Sequence, residues 1–123
     1  MSASAKVVAD FYDAVIRRDF TAARRYLHDE LEFVGLFETY PNPDAYLKTL
    51  AGLMQITRRL DVRTVIGEGD QAAIFFDLET TAPAEATTLV AEWHQLRDGR
   101  IVQVHSAFDG RPFEALFAGK PKG

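Results

Sequence analysis

Apolar residues recur at helical spacing from Ala5 to about Arg18, where Val8, Phe11, Tyr12, Val15 and Ile16 share one side. Asp10, Asp13, Arg17 and Arg18 occupy much of the other side, and Ser4 is placed to cap the start. Asp19 then caps a shorter helix whose stripe is Phe20, Ala23, Tyr26 and Leu27. Leu31 to Leu36 reads as a short strand, and Phe37 to Pro41 as a loop. Asn42 followed by Pro43 marks a third helix start, because proline suits the first helical position. That helix carries Tyr46, Leu47, Leu50, Leu53 and Met54 on one side.

Beyond it the period changes from helical to alternating. Arg59 to Thr64 reads as a strand with one wet face, and Gly67-Glu68-Gly69-Asp70 as a turn. Ala72–Thr81 and Thr87–Arg97 read as strands, separated by Ala82-Pro83-Ala84. Asp98-Gly99 gives a tight hairpin into a last strand, Ile101–Asp109. Pro112 can start a closing helical turn with Phe113, Leu116 and Phe117. Three amphipathic helices need a surface to bury their stripes, and hairpin-linked strands supply one. The expected fold is α+β: a curved antiparallel sheet wrapped around three helices, forming a cone with an internal pocket. The expected domain spans residues 5–117, with residues 1–4 and 118–123 outside it as disordered ends.

Strand parity then assigns faces. Ile74, Phe76 and Leu78 are uniformly apolar and should face the helices, leaving Phe75, Asp77 and Glu79 outside. By the same logic Val102, Val104, Ser106 and Phe108 are inner, and Gln103, His105, Ala107 and Asp109 outer. For the strand between them, Val90, Glu92, His94 and Leu96 share one face, and Leu89, Ala91, Trp93 and Gln95 the other. Parity alone does not decide which is inner. If the first set is inner, a carboxyl and an imidazole sit two residues apart inside an apolar cone.

The opening Val7-Val8-Ala9-Asp10-Phe11-Tyr12, then Arg18-Asp19-Phe20, then Tyr26 to Phe33, resembles the SnoaL-like and ketosteroid isomerase-like proteins. These belong to the nuclear transport factor two-like, cystatin-like α+β superfamily. Asp98 to Val102 followed by Phe108-Asp109 fits the same pattern. The resemblance implies a deep apolar pocket and a dimer through the outer sheet face. It also implies a range of roles, from isomerases, cyclases, dehydratases and epoxide hydrolases to binding modules. Ketosteroid isomerase uses an aspartate base with a tyrosine and a protonated aspartate as oxyanion donors. The resemblance carries the tyrosine onto Phe11, the base onto Gly35 and the protonated aspartate onto Glu92. One carboxyl of the set survives, so steroid-type isomerisation is not supported. Tyr12 lies about 100° around the helix from Phe11 and is no simple substitute. The alignment does favour the inner assignment of Glu92 and His94.

The candidate chemistry follows. If that face is inner, Glu92 is the candidate to donate or relay a proton, with His94 as its partner, either as the base or as the ion-pair partner that keeps Glu92 ionised. The competing reading is a satisfied buried pair without turnover. Tyr12 and Tyr40 are the candidate donors to a ligand's polar end. Tyr46 reads as core. Phe11, Phe37, Leu50, Met54, Phe76, Val104 and Phe108 are candidate lining. Phe75, Trp93 and His105 form the expected outer surface of a homodimer. Asp109 fits a turn role, and His28 a surface position at a helix end.

Composition narrows this further. The 123 residues include 14 Lys plus Arg and 18 Asp plus Glu, a net charge of −4, which offers nucleic acid no basic footprint. There is no cysteine, so thiolate chemistry is excluded, and His28, His94 and His105 lack metal-ligand spacing. No cofactor motif is present. No stretch is long and apolar enough for a membrane span, and Met1 to Ala5 does not look like a signal, so the expected location is cytoplasmic. The expected function is a small hydrophobic-molecule-binding protein, an isomerase, cyclase or lyase without a cofactor. The alternative is a non-catalytic dimeric binding or interaction module.

Overall fold

Ser2 caps the first helix, α1 (Ala3–Ile16), by accepting a bond from the amide of Ala5. The cap is therefore Ser2 and not Ser4. Ser4 is buried, and its hydroxyl donates to the carbonyl of Gln71, so the helix begins inside the segment expected to be disordered. The computed structural model describes residues 1–114. The expected Leu116 and Phe117 of the closing turn, and the expected tail, lie outside the described residues.

Arg18 takes a positive φ of 58°, which reverses the chain, and Asp19 caps α2 (Phe20–Arg24) through the amide of Ala22. This helix stops before Tyr26 and Leu27. Leu27 instead opens β1 (Leu27–Val34), four residues earlier than the alternation suggests. Leu27 and Leu31 are both fully buried; a spacing of four puts two residues on one face of a strand as well as of a helix, and the register against β6 shifts between Leu27 and Glu32. His28 accordingly sits in this strand, half-buried, and not at a helix end. The expected loop contains a two-residue strand, β2 (Thr39–Tyr40), paired with β1.

Asn42 caps α3 (Pro43–Gln55) through the amide of Ala45 at 2.8 Å, with Pro43 in the first turn as expected. Four long strands follow: β3 (Thr57–Glu68), β4 (Gln71–Thr80), β5 (Ala86–Arg97) and β6 (Arg100–Phe108), then a 3₁₀ turn over Arg111–Phe113. Gly67 belongs to β3, so the turn narrows to Gly69 and Asp70, with Gly69 at φ 59°.

The six strands form one sheet in the order β2-β1-β6-β5-β4-β3. All neighbours are antiparallel except β1 and β6, which run parallel, a pairing the hairpin argument did not anticipate. Irregularities at Thr57/Arg59 and Val62/Thr64 in β3, and at Gln95/Leu96 between β5 and β6, bend the sheet. The last of these corrects one face assignment. Ile101, opposite Leu96, is fully buried, while Val102 is displaced from the inner row. The concave face holds α1 and α3, and the core runs from Val8 and Phe11 through Leu31 and Tyr46 to Ile74 and Val104.

Candidate functional site

β5 is flanked on both sides, so its inner residues lie at the centre of the concave face. Glu92 and His94 are on that face, 6% and 0% exposed, while Trp93 between them is 46% exposed. Glu92 stands between Ile74 of β4 and Ser106 of β6, and His94 between Ala72 and Val104. The methyl group of Ala72 leaves room for the imidazole.

The Tyr12 hydroxyl donates a short hydrogen bond to Glu92 Oε1. His94 Nε2 lies 3.1 Å from the same oxygen. A proton on Nδ1 would have no acceptor, because that atom is buried without a partner. We therefore assign the proton to Nε2, which donates it to Glu92. Two donors converge on Oε1, and among the described residues no protein group bonds Oε2. Burial, and then the Glu92 charge, push the Tyr12 phenol well above its ordinary range, so it remains a donor.

Glu92 is part of the wall of a cavity of about 170 Å³. Exposed Leu36 and Thr49 border it, so it opens to solvent beside β2 and α3. Of the residues expected to line it, Tyr12, Tyr40, Phe37, Leu50, Met54, Phe76 and Phe108 do so. Phe11, Val104 and His94 do not. Phe11 is fully buried behind the wall, edge-on to Tyr12 with ring centroids 5.2 Å apart. Val104 and His94 sit below the cavity floor, completely enclosed by neighbouring strands. The tyrosine that meets the carboxyl is thus Tyr12 and not the residue at position 11. Both positions are buried because α1 is covered by the sheet on one side and by α2 and the Tyr46 ring on others, so its apolar stripe is wide.

Tyr40 lines the cavity, but its hydroxyl donates to Glu38, and burial raises its phenol. Phe37 packs edge-on to Phe108 at 6.2 Å beside the opening. The sequence reading missed Phe33, Glu38, Thr49, Ser106 and Phe113 as lining, and treated Tyr46 as core. Tyr46 is 1% exposed and does pack in the core, yet it also forms part of the cavity wall. Its signal was chemical: a buried tyrosine hydroxyl ordinarily requires a partner.

On the outer face Trp93 and half-buried His105 meet edge-on at 5.6 Å, as their parity suggests. Asp109 lies beyond the cavity wall and clamps Arg111, whose guanidinium and amide hold its carboxyl at about 2. Among the described residues, no three His, Asp or Glu side chains gather as metal ligands, and no helix is long and apolar enough to cross a membrane.

A helix-filled, curved, unclosed sheet with a buried Tyr12–Glu92–His94 cluster reaching the wall of an apolar cavity defines a cone-shaped α+β pocket protein. A family model of the SnoaL-like domain matches residues 8–104, and the chain belongs to that family. Among solved structures, a protein of Kribbella flavida DSM 17836 superposes with a TM-score of 0.85 at 24% identity over 100% of both chains. A nuclear transport factor two-like protein of Burkholderia pseudomallei K96243 gives 0.78 at 17% identity, over 97% of this chain and 100% of its own. An epoxide hydrolase of M. tuberculosis gives 0.74 at 19% identity, over 95% and 91%. At these identities the likeness is one of fold. No curated protein matches the sequence.

Proposed function

We propose that this SnoaL-like domain binds a small, mostly apolar molecule in its cavity and moves a proton on it through Glu92, as an isomerase, cyclase or lyase without a cofactor. One observation carries this reading. Glu92 sits in an apolar cavity with Oε1 held by Tyr12 and His94, while no protein group engages Oε2. Donors on Oε1 complement negative charge there. They leave Oε2 to take a proton from a bound molecule and return it elsewhere. Tyr12 and His94 fix the carboxyl's direction, which is what a positioned base requires.

The test is hydrogen–deuterium exchange into a panel of small carbonyl compounds, followed by NMR. Glu92→Gln should slow protein-dependent exchange by about 10²–10⁴-fold. His94→Ala, which removes a positioning group, should slow it less and shift its pH profile. Full exchange by Glu92→Gln ends the proton-transfer reading.

A second reading, binding without turnover, draws support from Gly35, where the resemblance expects a base. It predicts ligand binding with no exchange in the unaltered protein. In either case we propose a homodimer through the outer sheet face, with the cavities facing away from the interface.

A further inference from the structure

Hydrogen-bond capacity in the cavity wall is one-sided. The tyrosine hydroxyls are taken: Tyr12 donates to Glu92, Tyr40 donates to Glu38, and the Tyr46 hydroxyl is closed off against that of Tyr12. Thr49 and Ser106 carry hydroxyls, which accept as well as donate. Glu92 and Glu38 bring carboxyls to the wall, and among the described residues no Lys, Arg or His lines it. Glu92 is 6% exposed, and its Oε2 is the acceptor left over, since Tyr12 and His94 both bond Oε1.

His94 does not balance the charge of that carboxylate. A second proton, on Nδ1, would be buried with no acceptor. The imidazole therefore brings Glu92 a donor and no positive charge. Much of the remaining wall is aromatic, with Phe33, Tyr40, Phe76, Phe108 and Phe113 in it. The face of an aromatic ring is the negative side of its quadrupole, so it attracts a cation and repels an anion. Carboxylate and rings thus select the same sign of charge.

We propose that the cavity takes an organic amine in its protonated form: an apolar body one ring in size, with its ammonium group bonded to Glu92 Oε2. Burying an ammonium requires a paired countercharge, and Glu92 supplies it. Ser106, across from Glu92 on β6, can accept a second N–H. The size fits, since a dry cavity of about 150 Å³ suffices for a benzene ring and this one holds about 170 Å³. This rests on the cavity being the ligand site, which both readings above share, and adds the class of ligand. It has a consequence for the first reading: an amine on Oε2 occupies the oxygen that would take the proton, and so stops exchange.

The probes are benzylamine, benzyl alcohol and ethylbenzene, which share one shape and end in NH₃⁺, OH and CH₃. Binding to the unaltered protein and to Glu92→Gln is measured by NMR titration at neutral pH. In the unaltered protein benzylamine should bind tightest and ethylbenzene weakest. Glu92→Gln should weaken benzylamine about 10- to 100-fold, the worth of one hydrogen bond to a charged group, and leave ethylbenzene unchanged or tighter. The order in the unaltered protein decides the case even if the variant misfolds: benzylamine no tighter than ethylbenzene overturns the proposal. So does a folded Glu92→Gln that holds benzylamine as well as the unaltered protein does. Intermolecular NOEs should join the benzylamine methylene protons to the Tyr12 and Phe76 rings, and benzylamine bound without them overturns the proposal too. Failure of all three probes to bind removes the cavity as a ligand site and both readings with it. Ethylbenzene bound with no preference for the amine keeps the cavity and removes the amine. Where the unaltered protein promotes deuterium exchange in the carbonyl panel, benzylamine should suppress it in step with its own binding, and exchange that persists at saturating benzylamine counts against its place on Oε2. Benzylamine bound tightest by a protein that promotes no exchange keeps the amine and removes proton transfer.

Discussion

Tyr12 and Tyr46 are phenols whose ionisation the interior opposes, first by desolvation and then by the charge of Glu92. The sign of the consequence follows from linkage. In the unfolded chain both release protons near the ordinary value of 10.0, whereas the folded state holds them. The stability they contribute is therefore complete below that value and falls as pH rises above it. Urea unfolding on either side of pH 10.0 should show a steep alkaline decline in the unaltered protein and a shallower one in Tyr12→Phe. Equal slopes would mean that the phenol titrates normally in the fold. The same residues show how far the site was legible. Period-two parity put Glu92 and His94 on one face, and the family resemblance chose that face as the inner one. Tyr12 was kept as a donor to a ligand but not as the family tyrosine's substitute, because a shift of one residue turns a helix by about 100°, whereas here two adjacent positions are both buried. Tyr46 was visible as a buried aromatic. Whether its hydroxyl has a partner depends on Phe11 and Phe33 holding the ring, and no local pattern encodes that.

Among the elements, the long regular ones followed from periodicity: α1, α3, β4 and most of β5. The irregular ones did not. The start of β1 at Leu27 was hidden because Leu27 and Leu31, four residues apart, fit one face of a helix as well as one face of a strand, and exposed Asp29 and Glu30 between them break the alternation. Ile101 replaces Val102 in the inner row because the register shifts beside Leu96. β2 is too short to show alternation. Gly67 is the sharpest case, since a Gly-rich segment suggests a turn, whereas the reason for this glycine is a close approach. A Cβ there would lie 2.9 Å from the Cβ of Ala5, and closer still to the hydroxyls of Ser2 and Ser4. Those serine oxygens could turn aside, but the Ala5 methyl belongs to the first turn of α1 and cannot. Gly67→Ala should therefore cost about 1–3 kcal/mol, since overpacking pushes α1 off the sheet. Gly52, in the middle of α3, offers the converse: nothing lies within 4 Å of a Cβ built on it. Gly52→Ala should gain about 0.5–1 kcal/mol from helix propensity alone. Chemical denaturation of both variants checks the pair. Similar behaviour of the two would mean that close approach is not what selects glycine at position 67.

At the scale of the whole molecule, the sheet has two unlike faces. The inner one is filled by helices and the cavity. On the outer one, strand register lines up Ile66, Ala73, Trp93, His105 and Val34 across β3, β4, β5, β6 and β1. Phe75, Ala91 and Ala107 form the next row, and Leu89 follows further along β5. Leu89 and Trp93 on the interior strand β5 are 59% and 46% exposed, and Ile66 on the edge strand β3 is 61% exposed, an uncovered apolar area on this face. A stable pair of chains hides about 800 Å² on each partner, and a row across five strands gives such an interface its length. Burying this face against a second copy also pairs like with like under two-fold symmetry, which suits an uncharged centre such as Trp93 and Phe75. The prediction is a dimer by sedimentation velocity, with Trp93 emission shifting to shorter wavelength as concentration rises. Trp93→Lys should yield monomers, since it buries an unpaired charge at the centre of the interface. Because the cavity opens on the opposite side of the sheet, that variant should promote deuterium exchange in the carbonyl panel as the unaltered protein does. A concentration-independent monomer would remove the interface. A monomeric variant that loses the exchange would show that the two faces are coupled through β5, whose Glu92 faces one side and Trp93 the other.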